Sequence, residues 1–135
     1  MNAASHPLAT AKYVSLTTFR RNGDGVSTPV WIAPSGDDLV FVSVDNTGKT
    51  KRLKNNDRVE LRACDLRGNV APDAVTYSGT ATVDRTPAGI ARIREAVVAK
   101  YGLPARFADL GTAAAKLVGK SLAPRAGIVI RPDAL

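Results

Sequence analysis

The chain has 135 residues, 44% of them hydrophobic, and 19 Lys and Arg against 12 Asp and Glu give a net charge of +7. That is enough for one domain with a real core and too little for two. A single cysteine (Cys64) and a single histidine (His6) exclude an internal disulfide and argue against a metal centre or a Ser-His-Asp triad. No apolar run approaches the roughly 20 residues that span a bilayer. Nor does a cationic stretch followed by an apolar one open the chain, so the expected setting is cytoplasmic and reducing, with no membrane partner. The basic excess favours anionic partners: nucleic acid, anionic lipid, or a phosphorylated or polycarboxylated small molecule.

Residues 1–11 read as a loose N-terminal tail that carries His6. Residues 13–20, Tyr-Val-Ser-Leu-Thr-Thr-Phe-Arg, alternate and are rich in β-branched and aromatic side chains, which predicts a strand. Asn22-Gly23 and Asp24-Gly25 tolerate positive φ and predict a turn into a second strand over residues 26–33, hence a hairpin. After the turn at residues 34–37, the apolar run at residues 39–44 predicts a strand buried on both faces. Residues 49–55 predict a short helix or a helical turn with Thr47 as a candidate N-cap, and residues 58–64 a half-exposed strand with Val59, Leu61 and Ala63 inward. A polar loop over residues 65–73 leads to a strand over residues 75–84, where Gly79 marks a bulge, a bend or a close approach. Thr86-Pro87 opens a helix with Ile90, Ile93, Val97 and Tyr101 at helical spacing, and Gly102 and Pro104 end it. A second, weaker helix is predicted over residues 105–118, and a closing strand over residues 127–131. Strands joined by tight turns, with helices gathered late in the chain, predict an α+β antiparallel barrel of about six strands in a single domain, residues 1–135.

The densest candidate chemistry lies between Thr47 and Arg62, where Lys49, Lys51, Arg52, Lys54, Arg58 and Arg62 outnumber Asp57 and Glu60. Free N–H groups at the opening of the helical turn, together with several cations, suit a phosphate; the alternative is a solvated basic face. Ser27-Thr28-Pro29-Val30-Trp31 places a proline inside a strand pattern, which marks a local edge or a strand that faces something other than a neighbour. Trp31, the only tryptophan, is a candidate floor for a flat ligand or a core residue. Cys64 reads as a packing residue beside Asp65, and Tyr77 and Ser78 as weak ligand contacts. Gly23-Asp24-Gly25 lacks the third glycine of a dinucleotide fingerprint, and no Walker A sequence occurs. Aromatics, at 5%, are too few and too scattered for a nucleic-acid stacking platform, so no nucleic acid is expected.

From Lys12 to Asp84, and more weakly at Ile128-Val129-Ile130-Arg131-Pro132, these segments follow in an order that resembles a known superfamily. It is the flavin/deazaflavin oxidoreductases of the split β-barrel type, related to pyridoxamine 5′-phosphate oxidase and typified by the FMN-binding split barrel. The segments Tyr-Val-Ser-Leu-Thr-Thr-Phe-Arg and Ser-Thr-Pro-Val-Trp are most similar to the small actinobacterial branch that uses coenzyme F420. The resemblance implies a homodimer with the cofactor in a groove at the subunit interface. It implies that Thr28, Pro29, Val30 and Trp31 line the cofactor ring, and that Ser43, Thr47, Lys49, Lys51 and Arg52 hold its phosphate and tail. It implies hydride transfer to a small unsaturated or quinone-like substrate; enones, quinones and tetrapyrroles all suit the family, and no general acid is identified. The alternatives are an FMN oxidoreductase on the same fold and a non-catalytic F420 or flavin carrier. No metal is expected.

Overall fold

The computed structural model describes residues 3–45, 48–102 and 125–135. Its strands are β1 (Tyr13–Phe19), β2 (Gly25–Val30), β3 (Ala33–Ser35), β4 (Asp38–Val44), β5 (Arg58–Cys64), β6 (Tyr77–Asp84) and β7 (Arg125–Pro132). Two helices accompany them, α1 (Gly48–Asn55) and α2 (Pro87–Tyr101). The strands form one antiparallel sheet in the order β2-β1-β5-β6-β7-β4-β3, whose two outer strands do not pair with each other. This is the α+β split-barrel architecture that the sequence predicts. The helix expected over residues 105–118 lies outside the described residues.

The hairpin β1–β2 forms where Asn22-Gly23 and Asp24-Gly25 predict it. Gly23 sits at φ 93°, and the Asn22 side chain accepts from the Asp24 N–H at 3.0 Å. The single strand expected over residues 26–33 is divided. Residues 25–30 pair with β1 and residues 33–35 with β4, so the chain crosses between opposite edges of the sheet at Trp31 and Ile32. A ladder cannot be continuous across a change of partner, and seven strands result rather than six. Residues 75 and 76 fall outside β6 because β5 pairs with β6 only as far as Leu61↔Tyr77. At Gly79 the expected close approach is found: a Cβ there would stand 2.8 Å from the backbone oxygen of Arg131.

The interior is built from alternate residues. Val14 and Leu16 of β1, Leu39 and Phe41 of β4, Val59 and Leu61 of β5, and Ile128 and Ile130 of β7 form one buried cluster, with Leu53 of α1 packed into it. Ala63, expected inward with Val59 and Leu61, is exposed at the end of its strand. The opposite face of β4 is also covered: Val40 and Ile93 of α2 are fully buried, which explains the apolar run of that strand. Helix α2 has the expected ends. Thr86 Oγ1 accepts from the Gly89 N–H at 3.0 Å, and Gly102 closes the helix at φ 68°.

The N-terminal segment, expected to be loose, is docked. Ala3–Ser5 and Pro7–Thr10 form 3₁₀ turns, and Ala3, His6, Leu8 and Ala9 are buried. His6 Nδ1 accepts from the Leu8 N–H at 3.1 Å, and its ring meets Tyr77 edge-on at 4.8 Å. Apolar side chains only eight residues from the start had a sheet face to cover, which no local periodicity announces.

Candidate functional site

Helix α1 follows β4 and packs against β1 and β6, with Thr50 and Leu53 buried and Lys51 and Lys54 exposed. Lys49 and Arg52 are three residues apart and so share a helix face. Both are partly buried. Arg52 Nε donates to Thr18 Oγ1 at 2.5 Å, which ties the helix to the inward face of β1. The Arg52 guanidinium folds back over the start of the helix: a Cβ at Gly48 would lie 2.5 Å from Nη1. Glycine at this position is what lets the guanidinium lie over the helix start.

The electrostatics of the group are unusual. Burial, and then the Arg52 charge, lower the Lys49 ammonium from its ordinary value. Burial, and then Arg20, lower the Arg52 guanidinium. The three ion pairs among the described residues, Arg58–Asp133, Arg85–Asp45 and Arg131–Asp38, involve none of Lys49, Arg52 and Arg20. Cations gathered without a carboxylate at a helix start are costly unless an anion completes the group.

On β2 the strand alternation separates the candidates. Thr28 pairs with Leu16 and Val30 with Val14, so both face inward, whereas the Pro29 partner is Ser15 and its side chain is exposed. Pro29 fits because β2 is an edge strand and needs no second ladder. The turn at Gly68 leans on it: a Cβ there would lie 3.5 Å from Pro29 Cδ. Thr28 Oγ1 is buried and has no hydrogen-bond partner. A buried hydroxyl without a partner is costly, and a ligand atom would relieve it. Thr28 is the diagonal neighbour of Thr18 across the hairpin, since Thr18 pairs with Val26. The hairpin thus brings Thr28, Val30 and Arg52 to one face, although the first two are over twenty residues from Arg52 in sequence.

The other candidates are placed as follows. Trp31 is half-buried, and one face of its indole is covered by Tyr101, with centroids 4.9 Å apart and planes at 21°. Ser43 is buried near the end of β4, opposite Ala126. Lys51 points away from the Lys49–Arg52 face, and Thr47 lies outside the described residues. Cys64 is half-buried, and burial followed by Asp65 raises its thiol pKa, in keeping with a packing role. Three members of the site were not singled out from sequence: Thr18, Arg20 and Gly48. The one available signal was Gly48 directly before a basic helix; the pairing of Arg52 with β1 is long-range and left none.

The residues present fit an anionic ring-bearing cofactor: cations at a helix start, and an orphaned hydroxyl on the neighbouring edge strand. Among the described residues no helix is long and apolar enough to cross a membrane, and no cluster of metal-ligating side chains occurs.

Comparison with known proteins agrees with the fold. An F420 reductase superposes with a TM-score of 0.61 at 22% identity, over 94% of this chain and 90% of that one. The heme storage protein HutZ from Vibrio cholerae gives a TM-score of 0.65 at 10% identity, over 93% and 84%. A pyridoxamine 5′-phosphate oxidase-like protein from Listeria innocua gives 0.58 at 16% identity, over 91% and 85%. At these identities the likeness is one of fold. No curated protein matches by sequence. The family model for pyridoxamine 5′-phosphate oxidase matches residues 3–135, and with the split barrel this shows that the chain belongs to the pyridoxamine 5′-phosphate oxidase family.

Proposed function

We propose that this protein is an oxidoreductase that binds the deazaflavin coenzyme F420 and reduces a small unsaturated or quinone-like substrate, in the cytoplasm and as a homodimer. The observation that carries the reading is the cationic group of Lys49, Arg52 and Arg20, without an ion-pair partner among the described residues, with the Arg52 guanidinium folded over Gly48. Such a group suits a phosphate followed by a polycarboxylate tail better than a neutral ligand. The F420 reductase of the same fold supports the choice of cofactor.

In this reading Lys49 and Arg52 hold the phosphate, and Arg20 extends the positive field along the tail. Thr28 offers its hydroxyl to a polar atom of the ring, and Val30 keeps the inner side of the strand dry. When bound, F420 supplies hydride transfer from C5. The protein supplies alignment, and solvent protonates the product. The site would also take FMN, whose single phosphate uses fewer of the cations; a family that includes flavin enzymes favours this second reading.

The test is a fluorescence and absorbance titration of the purified protein with F420 and with FMN, followed by turnover of the reduced cofactor with quinone and enone acceptors. Tighter binding of F420, with a preference that shrinks as salt rises, is expected. Equal or tighter binding of FMN would replace F420 by a flavin. Tight binding without turnover of any acceptor would make the protein a carrier.

A further inference from the structure

Where the chain crosses from β2 to β3 it leaves both ladders, and the carbonyl of fully buried Ile32 loses its strand partner. A buried backbone carbonyl must be paired. The last turn of α2 supplies the partners. Lys100 Nζ donates to Ile32 O at 2.5 Å and to Ala11 O at 2.7 Å. The Tyr101 hydroxyl lies 2.9 Å from Lys12 O and 3.0 Å from Ile32 O, and its one proton serves either. The Tyr101 ring also stacks on Trp31. One helical turn thus fastens the entry to β1, the crossing and the indole.

The clip carries a cost as well as a gain. Placing an ammonium here requires desolvation, and burial lowers the Lys100 pKa to about 8. An apolar side chain would avoid that cost but would leave the Ala11 and Ile32 carbonyls without this donor. What the ammonium and the hydroxyl add is direction, since hydrogen bonds fix the angle of the carbonyl they hold.

We propose that Lys100 and Tyr101 are positioning residues for the cofactor ring: they set the course of the crossing and hold Trp31 in one orientation at the end of β2. This rests on the cofactor reading above. Neither residue belongs to the cationic group at α1, so the clip acts on the ring end of the site and not on the phosphate end.

The experiment uses Lys100→Met, Lys100→Arg and Tyr101→Phe, the last of which keeps the stacked ring. Near-ultraviolet circular dichroism and emission report on Trp31, the only tryptophan. F420 titration reports on the whole site, and the rise in Tm with inorganic phosphate reports on the phosphate end. Lys100→Met is expected to alter the Trp31 spectra and weaken F420 about tenfold, leaving phosphate protection unchanged. Lys100→Arg is expected to restore most of the affinity, and Tyr101→Phe to weaken it by a few-fold. If Lys100→Met does not fold, Tyr101→Phe decides by the same criteria. Unchanged F420 affinity in the folded variants, or equal loss of phosphate protection, would overturn the proposal. Failure of the wild type to bind F420 or FMN would instead defeat the cofactor reading, and is seen before any variant is compared.

Discussion

Lys49 and Lys54 lie on the same eight-residue helix and carry the same charge, yet the structure assigns them opposite weights. Lys49 is partly buried beside Arg52 at the helix start, where N–H groups are free. Lys54 is exposed in the last turn, where carbonyls already favour a cation. A charge-assisted hydrogen bond contributes about 1.5–3 kcal/mol. Lys49→Met should therefore weaken F420 roughly tenfold to a hundredfold. Lys54→Met removes only a screened, distant charge, worth under about 1 kcal/mol, and should weaken it a few-fold at most. Without ligand the order reverses. Lys49 has a like-charged neighbour and no acid among the described residues, so Lys49→Met should leave the urea midpoint unchanged or raise it, by about 0.2–0.5 kcal/mol. Fluorescence titration and urea unfolding measure the two effects. Equal losses of affinity for the two variants would make the cluster a diffuse basic surface. A drop in ligand-free stability for Lys49→Met would show that the lysine serves the fold.

Gly48→Ala should gain about 0.5–1 kcal/mol of helix stability yet weaken F420, because the new Cβ takes the space of Arg52 Nη1; affinity that is maintained would show the guanidinium is not needed there. Gly79→Ala should destabilise by about 1–3 kcal/mol in urea, since its Cβ meets a backbone oxygen 2.8 Å away rather than a movable side-chain end. Burial holds the His6 pKa below 6.5, so on acidification the unfolded chain takes up a proton that the folded chain resists. Stability should fall between pH 7 and pH 5, and His6→Asn, which keeps an acceptor for the Leu8 N–H, should remove that slope; a slope that persists would place its origin elsewhere.

Much of the architecture was legible in short stretches of sequence, because the forces that decide it are local. Asn22-Gly23 supplied a turn, Thr86-Pro87 and Gly102 bounded α2, and alternation marked β1 and β5. Proline at position 29 pointed to an edge or to a strand facing something other than a neighbour, and β2 is an edge; residues 49–55, which read as a short helix or helical turn, lie in α1. What local pattern could not carry was any choice between partners. Residues 26–33 read as one strand because every residue in it suits a strand; the division at Trp31 and Ile32 arises because its two halves pair with β1 and β4, which lie next to opposite edges of the sheet. His6 and Leu8 read as tail residues because the sheet face they cover is assembled from distant strands. The same holds for the candidate site. Its cations were visible as composition, but the bond from Arg52 to Thr18 spans 34 residues, and that from Tyr101 to Ile32 spans 69. Propensity and capping act within a few residues, whereas the pairing of a buried carbonyl or a half-buried guanidinium is settled only once the sheet has assembled.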